Sequence, residues 1–130
     1  MPRASLANLT ILVVDDHEDG RRYIEIFLRH LGANVIGARH VIEGLEAIKI
    51  HRPALVLSDI VMPGGDGFEL LREIRALERV EERGVPVIAM TALVSPADGR
   101  RILDAGFRAY LRKPFTPERL LQTIQSVLND

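Results

Sequence analysis

The stretch LTILVVDD, residues 9–16, predicts the architecture of the chain because a buried strand leads straight into two carboxylates. Its apolar part, 9–14, is continuous and rich in β-branched residues, which is typical of a strand covered on both faces. Asp15 and Asp16 follow it directly. Three later apolar runs end in the same way, and the polar residues that close them are Asp59, Thr91 and Lys113. Such strands are typical of parallel sheets that carry helices on both sides.

Longer amphipathic segments separate the apolar runs and have the apolar spacing of helices. Strands are predicted at 9–14, 34–38, 54–58, 85–90 and 109–112, and helices at 19–31, 41–50, 68–82, 96–105 and 117–128. Ser95, Pro96 and Asp98 mark one helix start, since they supply an N-cap, an N1 proline and an N3 acid. Five strands that alternate with five helices predict an α/β fold with a parallel sheet and right-handed crossovers.

The composition is that of one globular domain. The chain has 130 residues, of which 47% are hydrophobic and 27% are charged, and this length can bury a core without disulfides or structural metals. Cysteine is absent, which excludes thiolate chemistry and fits a reducing, cytoplasmic location. No apolar stretch is long enough for a membrane span, and the first residues do not read as a signal peptide. Membrane insertion is therefore not expected.

The charges are balanced and spread along the chain. There are 17 basic and 18 acidic residues, which give a net charge of −1. Because the basic residues do not form a patch, binding to nucleic acid is not expected. All of them are arginines except Lys49 and Lys113. A lysine at the end of the last predicted strand therefore indicates a position that needs a compact ammonium group.

The polar residues at the strand ends are predicted to meet in space. The carboxyl ends of parallel strands line a ligand crevice at the point where the strand order reverses. Asp15, Asp16 and Asp59 would repel one another there unless a cation intervenes, and an all-oxygen set favours Mg²⁺, for which Mn²⁺ is expected to substitute. Lys113 can pair with phosphate, and Thr91 can donate a hydrogen bond. Since a carboxylate can form an aspartyl-phosphate, the set predicts phosphoryl transfer to an aspartate.

Five motifs together resemble the receiver domain of two-component response regulators. They are VVDD at 13–16, LSDIVMP at 57–63, DG at 66–67, TA at 91–92 and KPF at 113–115. Their order and spacing match that family over nearly the whole chain. The resemblance implies a flavodoxin-like, doubly wound (βα)5 fold whose five-stranded parallel sheet has the order 2-1-3-4-5. A single receiver domain over 1–130, with a core of about 8–129 and no output domain, is expected.

The same resemblance assigns roles to individual residues. Asp59 is implied as the phosphoacceptor and as one of the Mg²⁺ ligands. Asp16 is expected to bind the ion directly, Asp15 mainly through water, and Val61 through its backbone carbonyl. Lys113 is expected to bridge the acidic cluster and a phosphoryl oxygen.

Further residues are implied as conformational or kinetic elements. Thr91 is expected to move towards a bound phosphoryl group, and Tyr110 matches the aromatic switch residue that turns inward with it. The bond before Pro114 is expected to be cis, which is cheap only at proline. Val61 and Leu93, two residues beyond Asp59 and Thr91, match the positions that tune dephosphorylation. Because both are apolar, slow self-dephosphorylation is expected.

The resemblance also implies partners. A sensor histidine kinase or a histidine phosphotransfer protein would supply the phosphoryl group, and the first helix is one place where it could dock. Phosphorylation would alter the face formed by helix 4, strand 5 and helix 5 for a downstream protein or for onward phosphorelay. A homodimer through this face is possible. No independent substrate turnover, and hence no enzyme, is expected.

Three other functions compete with this interpretation. A pseudo-receiver would keep the fold as a protein-binding module without being phosphorylated, although it would not need the complete acidic set. A phosphatase of the haloacid-dehalogenase kind would need an Asp-x-Asp pair after the first strand, whereas Asp15 and Asp16 are adjacent. A flavin carrier would need a phosphate-binding loop rich in Ser, Thr and Gly at that place.

Simple structural interpretations also exist for single residues. Asp15 and Asp16 could cap the first helix, because acids are favoured at helix N-termini. The four histidines, His17 among them, have no paired spacing and are interpreted as surface or packing residues. The adjacent Arg21 and Arg22 are interpreted as part of a solvated helix face.

Overall fold

The structure, a computed structural model, describes residues 6–62, 66–81, 84–92 and 95–129. Strands and helices alternate throughout, as the sequence predicts. The elements are β1 Thr10–Val14, α1 Glu18–His30, β2 Asn34–Ala38, α2 Val41–His51, β3 Leu55–Asp59, α3 Gly67–Glu81, β4 Val87–Thr91, α4 Pro96–Ala105, β5 Ala109–Arg112 and α5 Pro117–Leu128. None of the helices within these residues is long and apolar enough to cross a membrane.

The five strands form one parallel sheet of order β2-β1-β3-β4-β5. This confirms the predicted fold class and strand order. Val14 of β1 lies opposite Ala38 of β2 on one side and Ser58 of β3 on the other. The connection from β1 to β2 and the connection from β2 to β3 therefore run in opposite directions across the sheet, and the switch point of a doubly wound fold lies above β1 and β3.

The core has two layers, one on each side of the sheet. Leu12 and Val14 belong to the layer under α2, α3 and α4, whereas Ile11 and Val13 belong to the layer under α1 and α5. Successive side chains of a strand point to opposite faces, so a strand between two layers must be apolar throughout. The uninterrupted run at 9–14 predicted this burial.

Local capping chemistry explains both ends of α4 but not the start of α1. At α4 the Ser95 hydroxyl accepts from the Asp98 amide at 3.1 Å and the Asp98 carboxylate accepts from the Ser95 amide at 3.0 Å, a complete capping box. Gly106 ends the same helix at φ 114°, a conformation that favours glycine. At α1 the N-cap is His17, without a side-chain cap bond, so neither Asp15 nor Asp16 is the N-cap residue, although Asp15 Oδ1 accepts from the His17 amide at 2.9 Å.

Most predicted boundaries lie within one residue of the observed ones, but β4 begins later than expected. The prediction starts this strand at Val85, whereas it begins at Val87. Pro86 has no amide hydrogen to donate to a neighbouring strand, which keeps it out of the regular ladder. Its carbonyl still accepts from the Val56 amide at 3.0 Å, so the chain is already aligned before the strand begins.

Candidate functional site

The residues predicted to converge lie together above the carboxyl edge of the sheet. Asp59 and Thr91 end β3 and β4, and Asp15 and Lys113 immediately follow β1 and β5. Asp15, Asp59 and Thr91 are 1%, 7% and 2% exposed, although all three are polar. Buried polar groups need partners, so their neighbours define the chemistry of the site.

Lys113 joins the two buried carboxylates. Its ammonium nitrogen lies 3.3 Å from Asp15 Oδ2 and 3.2 Å from Asp59 Oδ2. Burial by itself would lower the pKa of Lys113, but the charges of Asp59 and Asp15 outweigh it and the pKa is raised. Lys113 is therefore a fixed positive charge at neutral pH.

The Asp59 carboxyl group is less well compensated than the ammonium beside it. Burial raises the pKa of Asp59, and the Lys113 ammonium counteracts this only in part, while the Asp15 charge adds to the rise. One ammonium is shared by two buried carboxylates, which explains why the cation is held firmly and Asp59 remains unfavourably charged. Asp59 Oδ1 also accepts from the Ile60 amide at 2.9 Å, which leaves Oδ2 facing Lys113.

The acidic loop after β1 supplies atoms that could hold a cation. Oxygens of Asp15 and Asp16 and a ring nitrogen of His17 all lie within 4.8 Å of one another. Asp59 does not belong to this group and connects to it through Lys113. Adjacent carboxylate oxygens are hard ligands and attract a hard divalent ion, so these residues fit Mg²⁺ by their chemistry.

The loop after β3 is shaped by a close backbone approach. A side chain at Gly67 would place its Cβ 2.5 Å from the Asp59 carbonyl oxygen, so only glycine fits. The Gly67 amide donates to the Ile60 carbonyl at 2.8 Å, and Asp66 Oδ1 accepts from the Glu69 amide at 2.8 Å at the start of α3. The Asp66-Gly67 pair thus folds α3 back against the end of the strand that carries Asp59.

The predicted switch and tuning residues occupy different surroundings. The Tyr110 ring is partly buried and packs towards α4, where its hydroxyl occupies the space that a Cβ at Gly99 would need. Val61 is 62% exposed, and Leu93 lies outside the described residues. The Lys113–Pro114 bond is cis, as predicted.

Two residues near the site differ from their sequence interpretation. The side chain of Arg21 is only 11% exposed and donates to the Asp15 carbonyl oxygen at 3.0 Å, so its assignment to a solvated face is wrong, whereas Arg22 is exposed. His17 is exposed as expected, but its ring is close enough to the acidic pair to serve as a ligand. The signal for His17 was its adjacency to Asp16. The signal for Arg21, which the solvated-face interpretation missed, is its position three and seven residues before the apolar Ile24 and Leu28, whereas Arg22 lies on the opposite side of the helix.

Comparison with known families agrees with the geometry. The sequence profile of the response regulator receiver domain matches residues 11–125. This range covers all five strands except Thr10, the first residue of β1, and it includes the site residues at the carboxyl ends of the strands. The chain belongs to the response regulator receiver domain family. This confirms the resemblance drawn from the five motifs and places the receiver in two-component signalling.

Individual relatives match the receiver over almost its full length. It is 39% identical over 121 residues to a 14.6 kDa protein of Leptolyngbya boryana, covering 93% of this chain and 91% of that protein. It is 33% identical to the polar-differentiation response regulator DivK of Brucella anthropi, covering 93% of this chain and 97% of DivK. The structure of chemotaxis protein CheY4 of Vibrio cholerae superposes with a TM-score of 0.85 at 30% identity, covering 93% and 99% of the two chains.

Proposed function

We propose that this receiver domain is a phosphoaccepting switch and that Asp59 is its phosphoacceptor. Lys113 carries most of the support, because its ammonium lies within 3.3 Å of both buried carboxylates and can pair with a phosphoryl oxygen once Asp59 has become an acyl phosphate. In the transfer, an Asp59 oxygen attacks the phosphorus atom of a phosphohistidine. The new O–P bond forms as the P–N bond breaks, and the imidazole nitrogen leaves with the electron pair of that bond.

The protein offsets the charge of the phosphoryl oxygens with groups at the ends of β4 and β5. Lys113 contributes a positive charge and Thr91 a hydroxyl donor. Asp16, Asp59 and the Val61 carbonyl are proposed to hold Mg²⁺, with Asp15 reaching it through water. The bound ion would supply further positive charge at the phosphoryl oxygens. Mn²⁺ is expected to substitute because it prefers the same oxygen ligands.

The output follows from the path between Thr91 and Tyr110. A phosphoryl group at Asp59 adds charge and acceptors beside Thr91, and movement of this residue changes the space against which α4 and Tyr110 pack. A cavity of about 30 Å³ lies between Thr91 and α4 and is lined by Ile60, Phe68, Thr91, Asp98, Arg101 and Ile102. The face of α4, β5 and α5 is therefore the proposed contact surface for a downstream protein, a phosphorelay partner or a second copy.

The phosphodonor is proposed to dock beside the first helix. An open groove of about 510 Å³ next to the site is lined by Asp15, His17, Gly20, Tyr23, Ile24, Ala92, Lys113, Pro114 and Phe115. Tyr23, 56% exposed, lines the groove together with Pro114 and Phe115, so a partner docking there would meet an apolar surface. A sensor histidine kinase or a histidine phosphotransfer protein would present its phosphohistidine through this groove, in the cytoplasm.

Slow loss of the phosphoryl group is proposed because Val61 and Leu93 offer no polar atom to orient an attacking water. Val61→Asn should shorten the half-life of the phosphorylated protein, measured by intact mass after removal of the phosphodonor. An unchanged half-life would contradict this role for Val61.

Acetyl phosphate tests the function without a partner protein. The protein is incubated with acetyl phosphate and Mg²⁺ beside Asp59→Asn, and the intact mass of each is measured. We expect one added phosphoryl group that needs Mg²⁺ and is lost in the variant. If neither protein gains mass and the wild type binds no Mg²⁺, the pseudo-receiver function replaces the switch.

A further inference from the structure

A partly buried arginine, Arg21, holds the backbone that carries the acidic pair. Asp15 lies one residue beyond the last pairs of β1, and its amide still donates to the Ala38 carbonyl at 3.0 Å. Its own carbonyl accepts from Arg21 Nη1 at 3.0 Å. This carbonyl belongs to the planar peptide unit that links Asp15 and Asp16. Holding its oxygen therefore fixes the direction in which the chain leaves towards Asp16.

Arg21 is itself fixed by a series of charged side chains along α1. Its Nε lies 3.1 Å from Glu25 Oε2, and Glu25 Oε1 lies 3.4 Å from Arg29 Nη1. Arg29 Nη2 in turn donates to the Val35 carbonyl of the edge strand β2 at 3.0 Å. The spacing of four residues puts these three side chains on one face of α1. They connect the end of β1 to the edge of the sheet.

Strand β2 leaves room for the ion pair of Arg21 and Glu25, because it has a glycine at position 37. A Cβ at Gly37 of β2 would overlap the Glu25 carboxylate and would lie 3.2 Å from Arg21 Nε. The side chains of Arg21 and Glu25 are 11% and 13% exposed, so they are largely removed from water. The Arg21 guanidinium donates hydrogen bonds from two of its nitrogens, Nε and Nη1. It is therefore held in one orientation more firmly than the guanidinium of an exposed arginine.

We propose that Arg21 is a positioning residue that fixes the loop of Asp15 and Asp16 for binding of the divalent cation. It touches no substrate and acts through the Asp15 carbonyl. The part of this inference that concerns cation binding rests on the proposed function, whereas the part that concerns the position of the loop does not. Residues that orient metal ligands in this way influence affinity by about 10- to 100-fold.

The test compares Arg21→Met with Arg22→Met, a matched change at the neighbouring exposed arginine. Binding of Mn²⁺ alone is measured from the electron paramagnetic resonance of the free ion, at a temperature where circular dichroism shows each protein folded. Amide exchange of His17, whose amide donates to Asp15 Oδ1 at 2.9 Å, is measured by NMR without metal. Arg21→Lys is included because an ammonium can reach the carbonyl but lacks the fork of a guanidinium.

We expect Arg21→Met to weaken Mn²⁺ binding about tenfold and to speed exchange of the His17 amide. Arg22→Met should leave both within about twofold of wild type, and Arg21→Lys should lie between the two methionine variants. Equal Mn²⁺ affinity in the two methionine variants would overturn the inference, even if Arg21→Met had the lower melting temperature. If the wild type binds no Mn²⁺, the proposed cation site fails. The His17 amide then decides about Arg21, since faster exchange only in Arg21→Met supports it and equal exchange overturns it.

Discussion

Lys113 sits between two buried carboxylates and shows how much a single residue type can decide. A lysine presents its charge at one nitrogen, which lies 3.3 Å from Asp15 and 3.2 Å from Asp59. The planar fork of an arginine would favour a bidentate pair with one carboxylate instead. In a chain whose basic residues are nearly all arginines, this choice could be noticed in the sequence.

Lys113→Met tests the electrostatic role of this ammonium. Its removal leaves two buried carboxylates facing each other, so we expect the metal-free protein to lose about 2 kcal/mol of unfolding free energy. Added Mg²⁺ should stabilise the variant, because the ion can replace part of the missing charge. Urea unfolding with and without Mg²⁺ measures both effects.

Lys49→Met is the matched control, since Lys49 is exposed and is the only other lysine. It should change the unfolding free energy by less than about 0.5 kcal/mol. Equal losses in the two variants would contradict the role of Lys113.

Asp59 predicts a pH dependence whose sign follows from its pKa. Burial raises the folded-state pKa above the unfolded value, so the folded protein binds this proton more tightly than the unfolded chain does. Stability is therefore lost as the pH rises through the interval between the two pKa values, and ionised Asp59 remains unfavourable above it. Asp59→Asn in the metal-free protein should raise the melting temperature by a few degrees at pH 7 and by less as the pH falls through this interval.

Thermal unfolding of wild type, Asp59→Asn and Asp104→Asn over a pH series checks this sign. Asp104 is exposed on α4 and should give no such pH-dependent gain. A lower melting temperature for Asp59→Asn at pH 7 would show that the ionised carboxylate stabilises the fold.

Residues at strand ends were predictable, whereas the contacts that support them from a helix were not. Asp59 and Thr91 stand where an apolar run stops, which the sequence displays directly. Arg21 and Arg22 are the same residue type at adjacent positions, and only one of them faces Asp15 and the edge strand. The apolar spacing of Ile24 and Leu28 already puts Arg21 beside the buried side of α1 and Arg22 away from it. The partner of Arg21, the Asp15 carbonyl oxygen, depends on the distance between α1 and the end of β1, which the spacing does not show.

At the scale of elements, α4 and β5 pack together where the Tyr110 ring of β5 lies against Gly99 of α4. A Cβ at Gly99 would lie 2.6 Å from the Tyr110 hydroxyl and 3.0 Å from the ring carbon that bears it. Glycine is a poor residue inside a helix, so its presence in α4 needs a local reason. Room for the inward Tyr110 ring supplies one.

Gly99→Ala should therefore move the Tyr110 ring outwards. The gain in helix propensity, about 1 kcal/mol, should be offset by lost packing, so that the unfolding free energy changes little. The exposure of the Tyr110 ring is measured by NMR with a soluble paramagnetic agent. Gly20→Ala in α1 is the control, because the atom nearest to the added Cβ, Asp15 Oδ2, would lie 3.8 Å from it and leave it enough room. An unchanged, protected Tyr110 ring in Gly99→Ala would contradict the contact.

Element types and their order were predictable because the apolar patterns and the capping residues indicated the same elements. Buried strands read as apolar runs, and the capping box of Ser95 and Asp98 fixed the start of α4. The packing of Tyr110 on Gly99 could not be predicted, since it depends on the distance between α4 and β5. Sequence periodicity shows which face of an element is apolar, but not how closely two elements approach.

At the scale of the whole molecule, the topology gathers residues that are far apart in the sequence. Lys113 is 98 residues from Asp15 and 54 residues from Asp59, yet it lies within hydrogen-bond distance of both. The strand order β2-β1-β3-β4-β5 brings the carboxyl ends of β1, β3, β4 and β5 to one edge of the sheet. The family profile over residues 11–125 covers this arrangement. The proposed switch is therefore a property of the complete fold.

The most direct measurement locates the phosphoryl group on the chain. An acyl phosphate is reduced by borohydride to an alcohol, which converts a phosphorylated aspartate into homoserine. The protein is treated with acetyl phosphate and Mg²⁺, reduced and digested, and its peptides are sequenced by tandem mass spectrometry. We predict homoserine at position 59 only when Mg²⁺ is present. Homoserine at Asp15 or Asp16, or at no aspartate despite a phosphoryl adduct on the intact protein, would contradict Asp59 as the phosphoacceptor.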